Sequence, residues 1–167
     1  MFGRDDGGTR YQMREKMFSI GDDSWIEDDQ GNKAFKVNGK AMHIRDTFVL
    51  EDPSGAEVAK IQERKLHVRD TMAIERDGHT IATVHKRLVG LRDHLKVDLD
   101  GGEEFKVHGN LVDHEYEIEA HHGKVAEISK KWFRVRDTYG VEIAPDQDVP
   151  LILAITVAVE DMTHERT

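Results

Sequence analysis

Cysteine is absent from this chain of 167 residues. That absence removes a disulfide framework, a thiolate nucleophile, a palmitoylation site and every cysteine-based zinc pattern, and it suits a cytoplasmic protein. Positive charge is also short: 24 lysines and arginines face 33 aspartates and glutamates, for a net charge of −9. The field of the whole molecule therefore opposes nucleic acid and anionic membranes, so no nucleic-acid partner is expected. A local basic patch can still take a phosphate against that background. No phosphate-binding loop, no GxGxxG and no G-x-S-x-G elbow occurs. Residues Met1 to Thr9 are polar and glycine-rich, and read as a loose tail instead of a signal peptide or anchor. What remains is one soluble domain, long enough to bury a real core.

Long apolar runs are scarce too, and the one exception organises the rest. Residues 149–159 read VPLILAITVAV, with no alternation, so they do not form a half-solvated strand. Eleven residues at about 1.5 Å each make a helix of roughly 16 Å, far short of a membrane span. Asp148 stands where an N-cap belongs, Pro150 is tolerated in a first turn, and Glu160-Asp161 end the apolar stretch. A helix apolar on every side must be buried on every side. The alternative is a buried strand, since isoleucine and valine dominate.

The other strong signal is repetition. Val58 through Asp70-Thr71 and on to Glu75 recurs 67 positions later as Val125 through Asp137-Thr138 to Glu142. Weaker copies place marker aspartates at Asp22, Asp46, Asp70, Asp93, Asp113 and Asp137, spaced by 24, 24, 23, 20 and 24. Each unit reads as two β-strands around a polar turn with a late glycine, such as Asp52-Pro53-Ser54-Gly55 or Arg76-Asp77-Gly78. Twelve strands result, from Tyr11–Lys16 to Thr138–Ile143. About eight strands close a barrel that side chains can fill, so a closed antiparallel barrel of twelve must hold something, and one apolar helix has the right width. Ile61, Ile74, Ile81, Val97, Val107, Ile118, Ile128 and Val141 would face it. A sandwich or propeller remains open as an arrangement of short strands, but leaves the terminal run without a burial site.

The paired-strand units, the repeated hydrophobic-Arg-Asp-Thr, the segment EISKKWFRVRDTYGVEI and the closing apolar helix together resemble the LURP-one-related family. That family is similar to the tubby C-terminal domain and to phospholipid scramblases. The resemblance covers roughly Tyr11 to Met162 and implies a mainly β, twelve-stranded antiparallel closed barrel enclosing a central hydrophobic C-terminal helix. It assigns residues 1–10 to a flexible tail and 11–163 to a single tubby-like barrel domain, with the core helix at about 149–161. Tubby-like domains bind phosphoinositide headgroups through a lysine and arginine cluster, though no individual tubby lysine has a matching motif here. Scramblases carry a palmitoylated cysteine-rich segment, and this chain has none, so lipid scrambling is not implied.

The candidate binding surface is the basic–aromatic stretch containing Lys130, Lys131, Trp132 and Arg134, with Arg64 and Lys65 at the equivalent place in another unit, and Lys86 and Arg87. Lysine and arginine are the usual phosphate partners, and an exposed tryptophan suits a membrane interface. The competing reading is a solvated strand end with Trp132 and Phe133 packed beneath it. The Arg-Asp pairs Arg45-Asp46, Arg69-Asp70, Arg92-Asp93 and Arg136-Asp137 are spread by the repeat instead of converging. Their expected role is structural, each aspartate bonding backbone N–H groups at a bend. The ten histidines show no HExxH spacing and read as scattered and solvated, so no metal and no cofactor is expected. Asp28-Asp29-Gln30-Gly31-Asn32 fits a hairpin turn better than a calcium loop. The expectation is a non-catalytic module, cytoplasmic and peripheral to membrane if it meets one. It would bind a phosphoinositide or other anionic lipid headgroup, or a small phosphorylated ligand. The alternative is a protein–protein adaptor with no lipid ligand.

Overall fold

A computed structural model describes residues 8–14, 23–42, 45–64, 71–89, 92–134 and 136–164. The chain forms twelve strands and a helix: β1 (Thr9–Arg14), β2 (Asp23–Asp28), β3 (Lys33–Met42), β4 (Arg45–Glu51), β5 (Glu57–Arg64), β6 (Thr71–Arg76), β7 (His79–Val89), β8 (Arg92–Leu99), β9 (Glu104–Asn110), β10 (Glu115–Ala120), β11 (Gly123–Ser129), β12 (Thr138–Ile143) and α1 (Val149–His164). Consecutive strands pair antiparallel, and β1 pairs with both β2 and β12 to close the barrel. Thr9 and Arg10 already belong to β1; the rest of the expected tail, 1–7, lies outside the described residues.

The helix is the plug the apolar run predicts. Every residue from Ile152 to Val159 is fully buried apart from solvent. The chain that wraps it supplies Ile61, Ile74, Val97, Val107, Ile118, Ile128 and Val141 to the same core. Thr156 sits in the middle without penalty because its Oγ1 donates to the Ile152 carbonyl at 2.9 Å. At the N-terminus Asp148 caps as expected, accepting from the Leu151 N–H at 3.2 Å. Arg76, at the end of β6, grips the same carboxylate at 2.8 and 2.9 Å. Its hydrogen bonds are the main reason the Asp148 carboxyl titrates below its ordinary value.

The hairpin turns follow their residues. Asp77-Gly78 forms a two-residue loop with φ of 53° and 79°, the type I′ geometry that matches strand twist. Asp28 Oδ1 accepts from the backbone of Gln30 and Asn32, and Asp52 Oδ1 from Ser54 and Ala56. This is the Asx role expected of the marker aspartates, displaced to the opposite end of the strand. Of the markers whose side chains are described, Asp137 instead adopts left-handed backbone at φ 60°, and Asp113 takes a bond from the Asn110 amide at 2.8 Å. Asp22, Asp46, Asp70 and Asp93 are outside the described side chains.

Ile81, expected to face the helix, is half-buried and packs against the core from an irregular position. Ile74 pairs with Ala82 and Glu75 with Thr80, so Ile81 is the extra residue of a bulge. The same skip occurs at Ala34, Val58 and Val125. The bulged carbonyls of Ile81 and Val125 accept from Asp100 and Ala144, just past the end of the neighbouring strand.

Candidate functional site

The topology gives the barrel two unlike ends. At one end lie the connections 29–32, 52–56, 77–78, 100–103, 121–122 and 144–148. They carry seven acids (Asp29, Asp52, Asp77, Asp100, Glu103, Asp146 and Asp148) and no lysine or arginine. At the other end, among the described residues, the connection after β11 places Lys130, Lys131, Arg134 and Arg136 in solvent.

This basic shoulder is tied down at its start by Glu115 of β10. Ser129 Oγ donates to Glu115 Oε2 at 2.8 Å, and the Lys130 N–H to Oε1 at 3.0 Å. The Lys131 N–H then bonds Ser129 Oγ at 3.1 Å. The chain folds back so that Trp132 and Phe133 cover Gly140 of β12. A Cβ at Gly140 would meet both rings at 2.6 Å, so only glycine lets them approach this closely. Arg10 of β1 lies over the Trp132 ring at 4.3 Å and pairs with Glu142 at 3.2 Å. β12 is consequently buried on both faces. Trp132 and Phe133 are half-buried wall, and the solvent-facing part of the stretch is its cations.

The remaining sequence candidates lie elsewhere. Arg64 is on β5, six places from β11 whichever way the ring is followed. There it pairs with Glu75 at 3.8 Å and donates to Thr80 Oγ1 at 3.1 Å. Equivalent repeat positions thus fall on opposite walls. Lys65 and the Arg87 side chain lie outside what is described. Lys86, on β7, lines a cleft of about 660 Å³ at the basic end. His94, His108, Asn110, Leu111, Val112 and Met162 line it as well.

Two features were not read from the sequence. Glu160 and Asp161 do not end the helix at the expected 161; it runs to His164, and both acids are buried. Tyr116 OH donates to Glu160 Oε2 at 2.8 Å, and His114 Nδ1 lies 2.5 Å from Oε1. The His114 ring stacks on Tyr139 at 4.4 Å. Burial first, and then the Glu160 charge, hold the Tyr116 hydroxyl well above its ordinary value, so it stays a donor. His114, 3% exposed, is therefore no solvated histidine. Its signal was two acids directly following an all-buried run, which need partners inside the wall.

The other feature is a carboxylate–histidine group on the outer wall. Among the described residues, His108, Glu117 and Glu119 alone bring such donors within 4.8 Å of one another. His108 Nε2 is 3.0 Å from Glu119, and Lys124 holds Glu117 at 2.9 Å. Lys124 already supplies the positive charge these carboxylates attract, which makes this an ion-pair ladder across β9, β10 and β11.

Comparison with known proteins agrees with the architecture. The family model described as LURP-one-related matches residues 9–160. An X-ray structure of an Arabidopsis thaliana protein superposes with a TM-score of 0.70 at 21% identity, covering 94% of this chain and 92% of that one. At that identity the likeness shows the fold. No curated protein matches the sequence.

Proposed function

Since the chain belongs to the LURP-one-related family, and no helix among its described residues is long and apolar enough to cross a membrane, we propose that it is a non-catalytic binding module whose basic end takes up an anionic group. The group is a phosphoinositide or other anionic lipid headgroup, or a small phosphorylated ligand. The observation that carries this reading is the polarity of the barrel: four exposed cations on one shoulder, and at the far end connections that hold seven acids and no lysine or arginine, one of those acids paired by Arg76 of β6. Tilted strands of 6 to 11 residues separate the two ends, an axial span of roughly 15 Å or more, about two screening lengths at physiological salt. The acidic end therefore does not cancel the basic one locally, although the net charge is −9. It orients the molecule, shoulder first, toward an anionic surface. Such docking would be peripheral, from the cytoplasm.

A second reading, a protein adaptor without a lipid ligand, is favoured by the acidic rim, which suits a basic partner. Closure of the ring leaves no free sheet edge among the described strands, so that partner would not add a strand to them. Cosedimentation with vesicles containing anionic lipid at low salt separates the two. Pelleting that disappears in Lys130→Glu/Lys131→Glu supports the headgroup. No pelleting with any anionic lipid, together with one stoichiometric protein partner lost on reversing Asp100 and Glu103, moves the assignment to the adaptor.

A further inference from the structure

The β9–β10 connection is braced on both sides. The Asn110 side chain donates to Asp113 Oδ2 at 2.8 Å and accepts from the Asp113 N–H at 3.1 Å. The His114 N–H closes the turn on the Leu111 carbonyl at 3.4 Å. His114 takes left-handed backbone at φ 55°, and its buried ring is fixed by Tyr139 and Glu160. The braced turn carries Val112, 65% exposed, the one large hydrophobic side chain to stand out so far among the described residues. Single exposed apolar side chains are ordinary, but this one is not alone. Leu111 and Met162, each packed in or against the core, line with it the open cleft of about 660 Å³. Three places on from Val112, the Glu115 carboxylate receives the Ser129 hydroxyl and the Lys130 N–H. The apolar tip and the basic shoulder are therefore joined into one face of the barrel.

We propose that this face docks on a bilayer containing anionic lipid, with the Leu111-Val112 tip entering the interfacial layer and Lys131, Arg134 and Arg136 meeting the headgroups. Such docking rests on the reading that the shoulder takes anionic groups, and it names their source as a membrane. The two loops hold Lys130, Lys131, Arg134 and Arg136 against Asp113 and Asp137, four cations to two acids and a balance of +2. The Asp113 carboxylate is already engaged by Asn110. Lys86, in the cleft, already interacts with another group of the protein, so the charge offered to a surface is the shoulder's. Neither part suffices alone. Exposed cations are screened within about 8 Å at physiological salt, and one valine buries little area. Membrane affinity adds the two, apolar burial to electrostatic attraction. Because the tip is braced, it loses little conformational freedom on entering the interface. The acidic rim, at the far end of the barrel, is turned away from the bilayer.

Because the chain has no cysteine, Val112→Cys takes a single environment-sensitive fluorophore. On vesicles of phosphatidylcholine and phosphatidylserine, the label at 112 should shift to the blue and be quenched by spin-labelled lipid. A label on Glu103→Cys, in the acidic rim, should do neither. Val112→Asp should weaken vesicle pelleting about tenfold, and Val112→Phe should strengthen it. Val112 is exposed enough that both variants keep the fold. Lys131→Glu/Arg134→Glu should weaken pelleting about tenfold as well. A parent that pellets while the label at 112 stays unshifted, or a Val112→Asp protein that pellets like the parent, overturns the tip and leaves the shoulder reading standing. No pelleting of the parent overturns the docking altogether. Binding of inositol hexakisphosphate that is lost in Lys131→Glu/Arg134→Glu would in that event keep the shoulder as a site for a soluble phosphate.

Discussion

The acidic and basic ends of the barrel are built by different means. At the acidic end the hairpin turns close on themselves, and one longer contact, Arg76 to Asp148 across 72 positions, joins a turn to the helix cap. Asp28 and Asp52 close their own turns, and both titrate below their ordinary values, Asp28 chiefly through the Asn32 backbone bond and Asp52 chiefly through Ser54. At the basic end the contacts come from far along the chain. Tyr116 reaches Glu160 across 44 positions, and Glu115 takes the Ser129 hydroxyl and the Lys130 N–H across 14 and 15. The lesson is one of specificity. Turns made from adjacent residues can form at any hairpin of a repeated sequence, whereas long-range polar contacts single out one shoulder and one mouth from six similar units.

That contrast is broken most severely at Glu160. Glu160→Ala strands the Tyr116 hydroxyl and the His114 ring inside the wall, and should cost about 3–5 kcal/mol, read as a lower urea midpoint. Gly140→Ala comes next. With both rings already 2.6 Å from the added carbon, the shoulder must lift, at about 1–3 kcal/mol and with a change in tryptophan fluorescence. A Gly140→Ala protein with unchanged emission would mean that Trp132 does not rest on β12. The smallest effect belongs to the acidic end. Asp148→Ala removes a helix cap worth about 1 kcal/mol, and the Arg76 pair, at its exposure, adds little more. The Asp148 carboxyl is depressed in the folded state, first by Arg76. Its contribution is therefore complete above the ordinary carboxylate value near pH 4 and is lost as pH falls through the lowered folded value. The parent should lose stability across that interval faster than Asp148→Ala does, in thermal melts taken from pH 5 downward.

The sequence carried the fold in its regularities. Recurrent markers, polar turns and a single unalternating apolar run identify strands, hairpins and plug without any tertiary information. Asp148 could be recognised as a cap because capping is a matter of three residues. Repetition also misled. It paired Arg64 with Lys131 as equivalents, and a shift of three units around a ring of six means opposite walls. It placed the turn-closing role at Asp137, when Asp28 and Asp52 at the hairpin tips perform it. Lys86 reads from the sequence as a candidate phosphate partner, but alternation alone does not say that it lines a cleft. Trp132 could not be distinguished from an exposed anchor, since what covers it includes Arg10, which lies 122 positions earlier. The bulge at Ile81 has no residue signature beyond one apolar side chain out of phase.

The strand made first, β1, bonds along its length to the strand made last, β12, in six register pairs. A chain leaving the ribosome can assemble its five middle hairpins as they emerge, but the seam has no second half until residue 143 is in place, and the plug follows it. Until then β1 and the growing edge opposite it expose unpaired peptide groups, a template for association between chains. Sealing thus waits until every other strand of the barrel has been made, and the interval before it is when a chaperone would matter most.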